Sequence, residues 1–292
     1  MTTWVLDSLK RRVPTTRWPV LPERAEGITP GRPVGAGASA DTVVEAAAGV
    51  LNAASTRVAG VSTAAERCPT RALEPESDTV HLERCVHCAR CQRGVEVPVP
   101  WRQDFAWSRW RAGGPLPTAF RRSIHVRIID AGDCGACLAE LLQLASPDYS
   151  LHRLGIFLTP TPRQADVLLV VGPVTGAMYA PLVAAYEAMP TPRRVVAAGA
   201  CAASGGLFGP GFACAAGAGD AVPVDLVIPG CPPPPLAILE GLLQVMARAP
   251  TTTAGDGATA DVGAGTAAAD PTAGTFATGA VATRAVATKV SP

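Results

Sequence analysis

Cys85, Cys88 and Cys91 stand at successive intervals of three, and Cys68 lies upstream with Pro69 directly behind it. Thiolates at this spacing hold iron. In proteins that carry two cubane clusters, each C-x2-C-x2-C-x3-C-P run gives three ligands to one cluster and sends its fourth, proline-flanked cysteine to the other. On that spacing the positions upstream of Cys68 are Val58, Val61 and Ala64, and the position after Cys91 is Val95. All four ligands of one cubane are therefore apolar, while all four of its twin are cysteine. The expectation is one [4Fe-4S] cluster on Cys68, Cys85, Cys88 and Cys91. Four thiolates also suit zinc, although zinc sites usually pair two separated C-x2-C knuckles.

A second set of cysteines gathers only through topology. Extended, apolar runs at residues 124–130, 167–171, 194–199 and 224–229 read as strands, and candidate helices at 136–145, 181–189 and 234–248 separate them. Such alternation predicts an α/β domain with a parallel, doubly wound, flavodoxin-like sheet. The last helix sets Glu240, Gln244 and Arg248 on one face, apart from Leu239, Leu242, Leu243 and Met246, as a helix lying on a sheet requires. Cys134 and Cys137 follow the first strand, Cys201 the third and Cys231 the fourth. In open α/β sheets that edge is where ligands bind. These four thiolates predict a second [4Fe-4S] site, with Gly132, Gly135, Gly199, Gly205, Gly206 and Gly230 letting backbone approach it. Cys214 lacks a partner spacing and reads as a small buried hydrophobe.

The elements around the first set are shorter. Two extended pieces within residues 72–84 flank a Glu-Ser-Asp turn and return the chain to Cys85. The organisation expected is a leader at 1–50 with a possible helix at 41–54, a small ferredoxin-like α+β module at 51–100, a Trp- and Arg-rich linker at 101–122, the α/β domain at 123–248, and a disordered Ala/Thr/Gly tail at 249–292. With 292 residues, 48% of them apolar, there is material for two cores. A net charge of +1 gives no electrostatic case for nucleic acid. The C-x2-C spacings and the lack of a secretory signal at Met1-Thr2-Thr3-Trp4 point to the cytoplasm. Residues 167–186 carry no formal charge, but Gly172-Pro173, Gly176 and Pro181 break the run, so strand, loop and buried helix are expected in place of a membrane span.

The motifs Asp133-Cys134-Gly135-Ala136-Cys137-Leu138-Ala139-Glu140, Gly172-Pro173-Val174-Thr175, Tyr186-Glu187-Ala188-Met189-Pro190, Gly199-Ala200-Cys201-Ala202-Ala203-Ser204-Gly205-Gly206 and Pro229-Gly230-Cys231-Pro232-Pro233 closely resemble the small-subunit family shared by complex I and [NiFe] hydrogenases. Within that family, quinone-reducing subunits carry adjacent cysteines at the first motif, whereas energy-converting hydrogenases and formate hydrogenlyase carry C-x2-C and a Glu three residues on. Cys134-x2-Cys137-x2-Glu140 is similar to the hydrogenase branch. The N-terminal region, including Thr15-Thr16-Arg17-Trp18-Pro19, is similar to the ferredoxin subunit of the same complexes, so the chain looks like a fusion of two electron-transfer subunits. The family's Arg after Cys-Pro-Pro is absent, since Pro234 follows Pro233.

The resemblance implies an electron-transfer subunit with two [4Fe-4S] clusters and no catalytic site of its own, in which Glu140 couples proton movement. It implies as partners a [NiFe] hydrogenase-type or complex I 49 kDa-like large subunit, membrane subunits, and a ferredoxin or formate dehydrogenase-type donor. The chain would then sit peripherally on the inner face of the cell membrane. The alternatives are a subunit of an NADH-quinone oxidoreductase-like complex and a zinc- or cluster-stabilised interaction protein that moves no electrons.

Overall fold

In the computed structural model, residues 31–34, 61–102 and 104–248 are described. The expected leader helix at 41–54, Val58 and the tail from 249 lie outside the described residues. The N-terminal part is built from short pieces: β1 (Arg32–Pro33), α1 (Val61–Ala65), β2 (Leu73–Glu74), β3 (Thr79–Val80), a 3-10 turn (Leu82–Arg84) and β4 (Trp101–Arg102). β2 and β3 pair antiparallel around the Glu-Ser-Asp turn, and β1 pairs antiparallel with β4. The hairpin therefore returns the chain to Cys85 as the turn residues predict. A small apolar cluster of Val61, Ala64, Leu73 and Val99 holds these pieces together, with Cys68, Cys91 and Val95 packed against it.

The larger part follows as β5 (Arg109–Trp110), β6 (Ile124–Asp130), α2 (Ala136–Gln143), α3 (Leu151–Leu154), β7 (Ile156–Leu158), β8 (Val167–Val171), α4 (Gly176–Glu187), β9 (Arg194–Ala198), α5 (Ala200–Ser204), β10 (Leu226–Ile228) and α6 (Pro235–Val245). One six-stranded sheet runs in the order β5-β10-β9-β8-β6-β7, parallel throughout except for β5. All five residues of β8 are buried, as a continuous apolar strand at the centre of a parallel sheet must be. Its alternate side chains serve two cores. Val167, Leu169 and Val171 pack with Leu141 of α2 and Ile238 and Leu242 of α6 on one face, while Leu168 and Val170 pack with Leu182 of α4 and Ala202 of α5 on the other. The sheet is thus covered on both sides.

The structure adds two edge strands, β5 and β7, to the four expected. It also extends α4 back to Gly176, so that Pro181 lies inside the helix. No helix among the described residues is long and apolar enough to cross a membrane, and the charge-free run divides into β8 and α4. The polar stripe expected on α6 is only partly open to water: Gln244 and Arg248 are half-buried. Segment 105–116 lies against this helix, and Glu240 is only 1% exposed, accepting a hydrogen bond from Ser108 Oγ at 2.7 Å. Burial raises its carboxyl above the ordinary value, while the bonds from Ser108 and Gln244 act in the opposite direction.

Candidate metal centre

At the C-terminal edge of the sheet two carboxylates shape the loop that leaves β6. Asp130 Oδ1 accepts the amides of Gly132 at 2.9 Å and Asp133 at 2.7 Å. Asp133 Oδ2 in turn accepts those of Gly135 at 3.0 Å and Leu138 at 3.1 Å, satisfying donors at the start of α2. This wrapping sets Cys134 on the loop and Cys137 in the first helical turn. β9 passes through Gly199 straight into α5, which carries Cys201, and β10 is followed by Gly230 and Cys231. Cys137 and Cys201 are buried, whereas Cys134 and Cys231 are exposed.

The four thiols are electrostatic neighbours. Burial pushes the Cys137 thiol well above its ordinary range, and charge on Asp133, Cys201, Cys231 and Cys134 pushes it further. Burial likewise carries Cys201 to about 11, with added repulsion from Cys231 and Cys134, while the Leu207 amide donates to it and lowers it. Cys231 is raised by burial and by Cys134. Two glycines make room for the sulfurs. A Cβ on Gly199 would stand 2.7 Å from Cys137 Sγ, and one on Gly206 would stand 2.8 Å from Cys201 Sγ. Both glycines have positive φ, at 94° and 57°.

The first set lines a small hollow together with Leu73, Trp101 and others, into which Cys68, Cys85, Cys88 and Cys91 all reach. Burial raises Cys85 to about 12, and charge on Cys91, Cys68 and Cys88 adds to it. Donors already aim at sulfur, among them the Ala72 amide at 3.2 Å from Cys68 Sγ and Trp101 Nε1 at 3.4 Å from Cys91 Sγ. Arg93 Nη2 donates to Cys88 O at 2.9 Å and closes the loop that carries the three close cysteines. His87, between Cys85 and Cys88, stacks on the fully buried Trp107 with ring centroids 4.8 Å apart. Burial pulls this imidazole down to about 4.

These donor sets fit an iron–sulfur cluster. Buried thiols that repel one another do not ionise unaided, and a cationic metal centre is what makes coordinating thiols lose their protons. Zinc–thiolate bonds are about 2.3 Å, so ligands of one ion crowd together. Among the described residues no group of three or more His, Cys, Asp or Glu is placed to hold a metal ion as the chain stands. Cys214 stands apart, half-buried and paired through its backbone with Thr175. Glu140 is half-buried in α2, and burial raises its carboxyl.

Sequence reasoning missed the working parts of the linker. Trp101 donates to a cysteine sulfur, and Trp107 anchors His87 to the sheet core. The dense Trp and Arg content there was the available signal, but nothing local says which ring meets which sulfur.

Residues 134–245 match the family described as NADH ubiquinone oxidoreductase, 20 kDa subunit. An uncharacterised protein of Methanocaldococcus jannaschii is 45% identical over 129 residues, which is 44% of this chain and 86% of that protein. Formate hydrogenlyase subunit 7 of Escherichia coli is 38% identical over 150 residues, 51% of this chain and 58% of its own length. An NADH-quinone oxidoreductase subunit of Citrifermentans bemidjiense is 44% identical over 109 residues, 37% of this chain and 64% of its own length. The chain belongs to the 20 kDa-subunit family of NADH ubiquinone oxidoreductase. The formate hydrogenlyase and quinone oxidoreductase relatives are subunits of oxidoreductase complexes, and the match spans less than two thirds of either one.

Proposed function

We propose that this chain is the iron–sulfur electron-transfer subunit of a complex I-related, membrane-associated [NiFe] hydrogenase or formate hydrogenlyase-like complex. In it a ferredoxin-type module is fused to a hydrogenase small-subunit-type domain. The observation that carries this reading is the convergence of Cys134, Cys137, Cys201 and Cys231 at the C-terminal edge of the sheet, where Gly199 and Gly206 leave room for the Cys137 and Cys201 sulfurs and neighbouring thiols raise Cys137, Cys201 and Cys231. The separate hollow lined by Cys68, Cys85, Cys88 and Cys91 supports a second site. A [4Fe-4S] cluster in either place would accept and release single electrons. The chain's residues hold the thiolates, exclude water on one side and offer N–H donors that tune the potential.

The sheet-edge site is open on its other side. Cys134 and Cys231 are exposed there, and Leu207, Phe208 and Phe212 of the loop after α5 are exposed large apolar groups. Apolar surface beside an open site suits a partner that covers it. We assign that partner as a [NiFe] hydrogenase-type or 49 kDa-like large subunit, with membrane subunits holding the complex to the inner face of the membrane and a ferredoxin or formate dehydrogenase-type donor on the N-terminal side. Glu140, in α2 behind Cys137, is assigned to proton coupling at this interface. The broader match to formate hydrogenlyase subunit 7, 51% of this chain against 37% for the quinone-reductase subunit, supports the hydrogenase branch, as does Cys134-x2-Cys137-x2-Glu140. The family's own description favours a second reading, a quinone-reducing complex.

Iron and acid-labile sulfide analysis of the purified chain, followed by dithionite reduction and electron paramagnetic resonance, tests the proposal. It expects about eight irons and two interacting signals, one cubane for each set of four cysteines. Bound zinc with a silent spectrum would overturn it.

A further inference from the structure

Where the N-terminal part meets the sheet, the contact falls on the two elements that carry a cysteine from each set. The 3-10 turn Leu82–Arg84 ends on Cys85, whose amide donates to Leu82 O at 3.0 Å. α5 carries Cys201 and ends at Ser204. Ser204 Oγ lies 2.8 Å from Glu83 O and donates to it across the joint. Arg111 spans the same contact: its Nη2 donates to Ala203 O at 3.0 Å and to the Glu83 carboxylate. The arginine is itself fixed, because its amide donates to Asp225 O at 2.8 Å just beyond the pairing of β5 with β10. Gly205 N–H donates to Cys201 O at 2.9 Å, which shortens the bonded path from Ser204 back to the cysteine. Between Cys85 and Cys201 there is thus one continuous route of backbone and side-chain bonds joined by two hydrogen bonds.

We propose that Ser204 and Arg111 are positioning residues that lock the Leu82–Arg84 turn onto α5 and so fix the separation, and the bonded route, between the two thiolate sites. This rests on the two-cluster reading. A transfer between the sites moves one electron, oxidising one by a single unit and reducing the other, with no bond made or broken and no proton required. Its rate falls steeply with distance because the donor and acceptor orbitals overlap only through their tails. A hydrogen-bonded crossing is therefore worth more than an empty gap of the same width. The latch is built for this: a charged side chain and a hydroxyl tie the backbone beside one ligand to the backbone beside the other. Neither residue ligates anything, so they set the distance without entering the sites.

The test uses the full chain, loaded with iron and reduced by dithionite, in four forms: wild type, Ser204→Ala, Arg111→Gln and the double variant. Ser77→Ala on the exposed hairpin serves as control, since its hydroxyl bonds only Glu74 and Thr79. Hydrogen exchange at the Arg84 and Cys85 amides reports the turn. Electron paramagnetic resonance reports the magnetic interaction between the sites. The double variant should keep its iron and each separate signal, exchange those two amides about 5- to 30-fold faster, and lose interaction broadening. Ser204→Thr and Arg111→Lys should restore part of both. Full iron with wild-type exchange and undiminished interaction in the double variant overturns the latch and leaves the two-cluster reading standing. Iron loss from the variants alone also overturns it, by making the pair a folding requirement. A wild-type chain without iron sinks the two-cluster reading, and with it the latch as a spacer.

Discussion

Replacing Gly199 by alanine tests whether the sheet edge is built around the Cys137 sulfur. Gly199 joins β9 to α5 at φ 94° and ψ 153°, a region that side chains scarcely enter. Its amide donates to Ile228 O at 2.8 Å and the next amide donates to Gly230 O at 2.7 Å, so the backbone is held on both sides and cannot rotate away. The added Cβ would stand 2.7 Å from Cys137 Sγ, and Cys137 is only 4% exposed, so the thiol can yield only against its packed neighbours. Backbone strain of this kind costs about 1–3 kcal/mol, and overpacking a filled core about as much again. The sum, about 2–6 kcal/mol, is a large share of the roughly 5–15 kcal/mol that holds a domain together. The cheaper escape is displacement of the thiol. Gly135→Ala separates the two effects, because Gly135 also has positive φ, 92°, but its added Cβ would meet nothing within 4 Å. That variant should lose only about 1–2 kcal/mol and keep its iron. The assay is urea unfolding paired with iron analysis, in which Gly199→Ala should lose about four of roughly eight irons. Gly199→Ala with full iron and stability equal to Gly135→Ala would refute the reasoning.

Trp101→Phe removes the N–H that points at Cys91 Sγ from 3.4 Å. A donor to sulfur favours the more negative reduced state, so the midpoint potential of that site should fall, by about 20–60 mV if one ordinary hydrogen bond is lost; an unchanged midpoint in a redox titration counts against it. Burial raises the folded-state pKa of Glu240 above the ordinary 4.5, so its favourable contribution is present below that value and is lost as pH rises through the folded one. Glu240→Gln keeps an acceptor for Ser108 Oγ, and Gln244 can turn its amide to match, so the variant should unfold at higher urea than wild type at about pH 8 and show little advantage near pH 4; a difference independent of pH would contradict this. Cys88→Ser should abolish carrier-linked turnover of the assembled complex while small dyes still react, whereas Cys231→Ser should abolish both; equal loss of both rates in Cys88→Ser, with assembly intact, would show that the N-terminal site is not an entry point.

The legible parts of the fold were those set by strong local chemistry. The unbroken Val167–Val171 run announces a central strand, and the Cys-x2-Cys spacings single out the cysteines that the fold brings to the sheet edge and to the N-terminal hollow, because neither signal depends on what lies far away in sequence. β7 is only three residues and β5 only two, too short for a period to emerge, and the Arg109–Trp110 pair reads as linker until β10 is there to pair with it. Pro181 reads as a helix break, yet α4 runs through it. The one hydrogen bond it forfeits is the one to the carbonyl of Ala177, on an exposed face of the helix where water can serve. The polar stripe of α6 failed for the opposite reason. Periodicity tells which residues share a face, but only the tertiary fold tells what covers that face, and here it is Ser108 and its neighbours.

The cysteines missing from this chain are as informative as those present. Of the four apolar residues at the lost twin's ligand positions, Val61, Ala64 and Val95 are described, and all three belong to one apolar cluster with Leu73 and Val99. Residues far apart in sequence come together where the repeat pattern would gather ligands. Removing a cluster while leaving its thiols would leave a void lined by groups that ionise badly once buried. Replacing those thiols with hydrocarbon lets the shell close to ordinary packing density, and Val61 and Ala64 are fully buried. Cys68 and Cys91 pack against the same cluster, so these apolar residues form one wall of the N-terminal thiol hollow. On the proposed reading, that shared wall would make the loss all or none. A partial set of thiols would hold no cubane and would pack worse than hydrocarbon, so it would weaken the surviving thiolate site from behind.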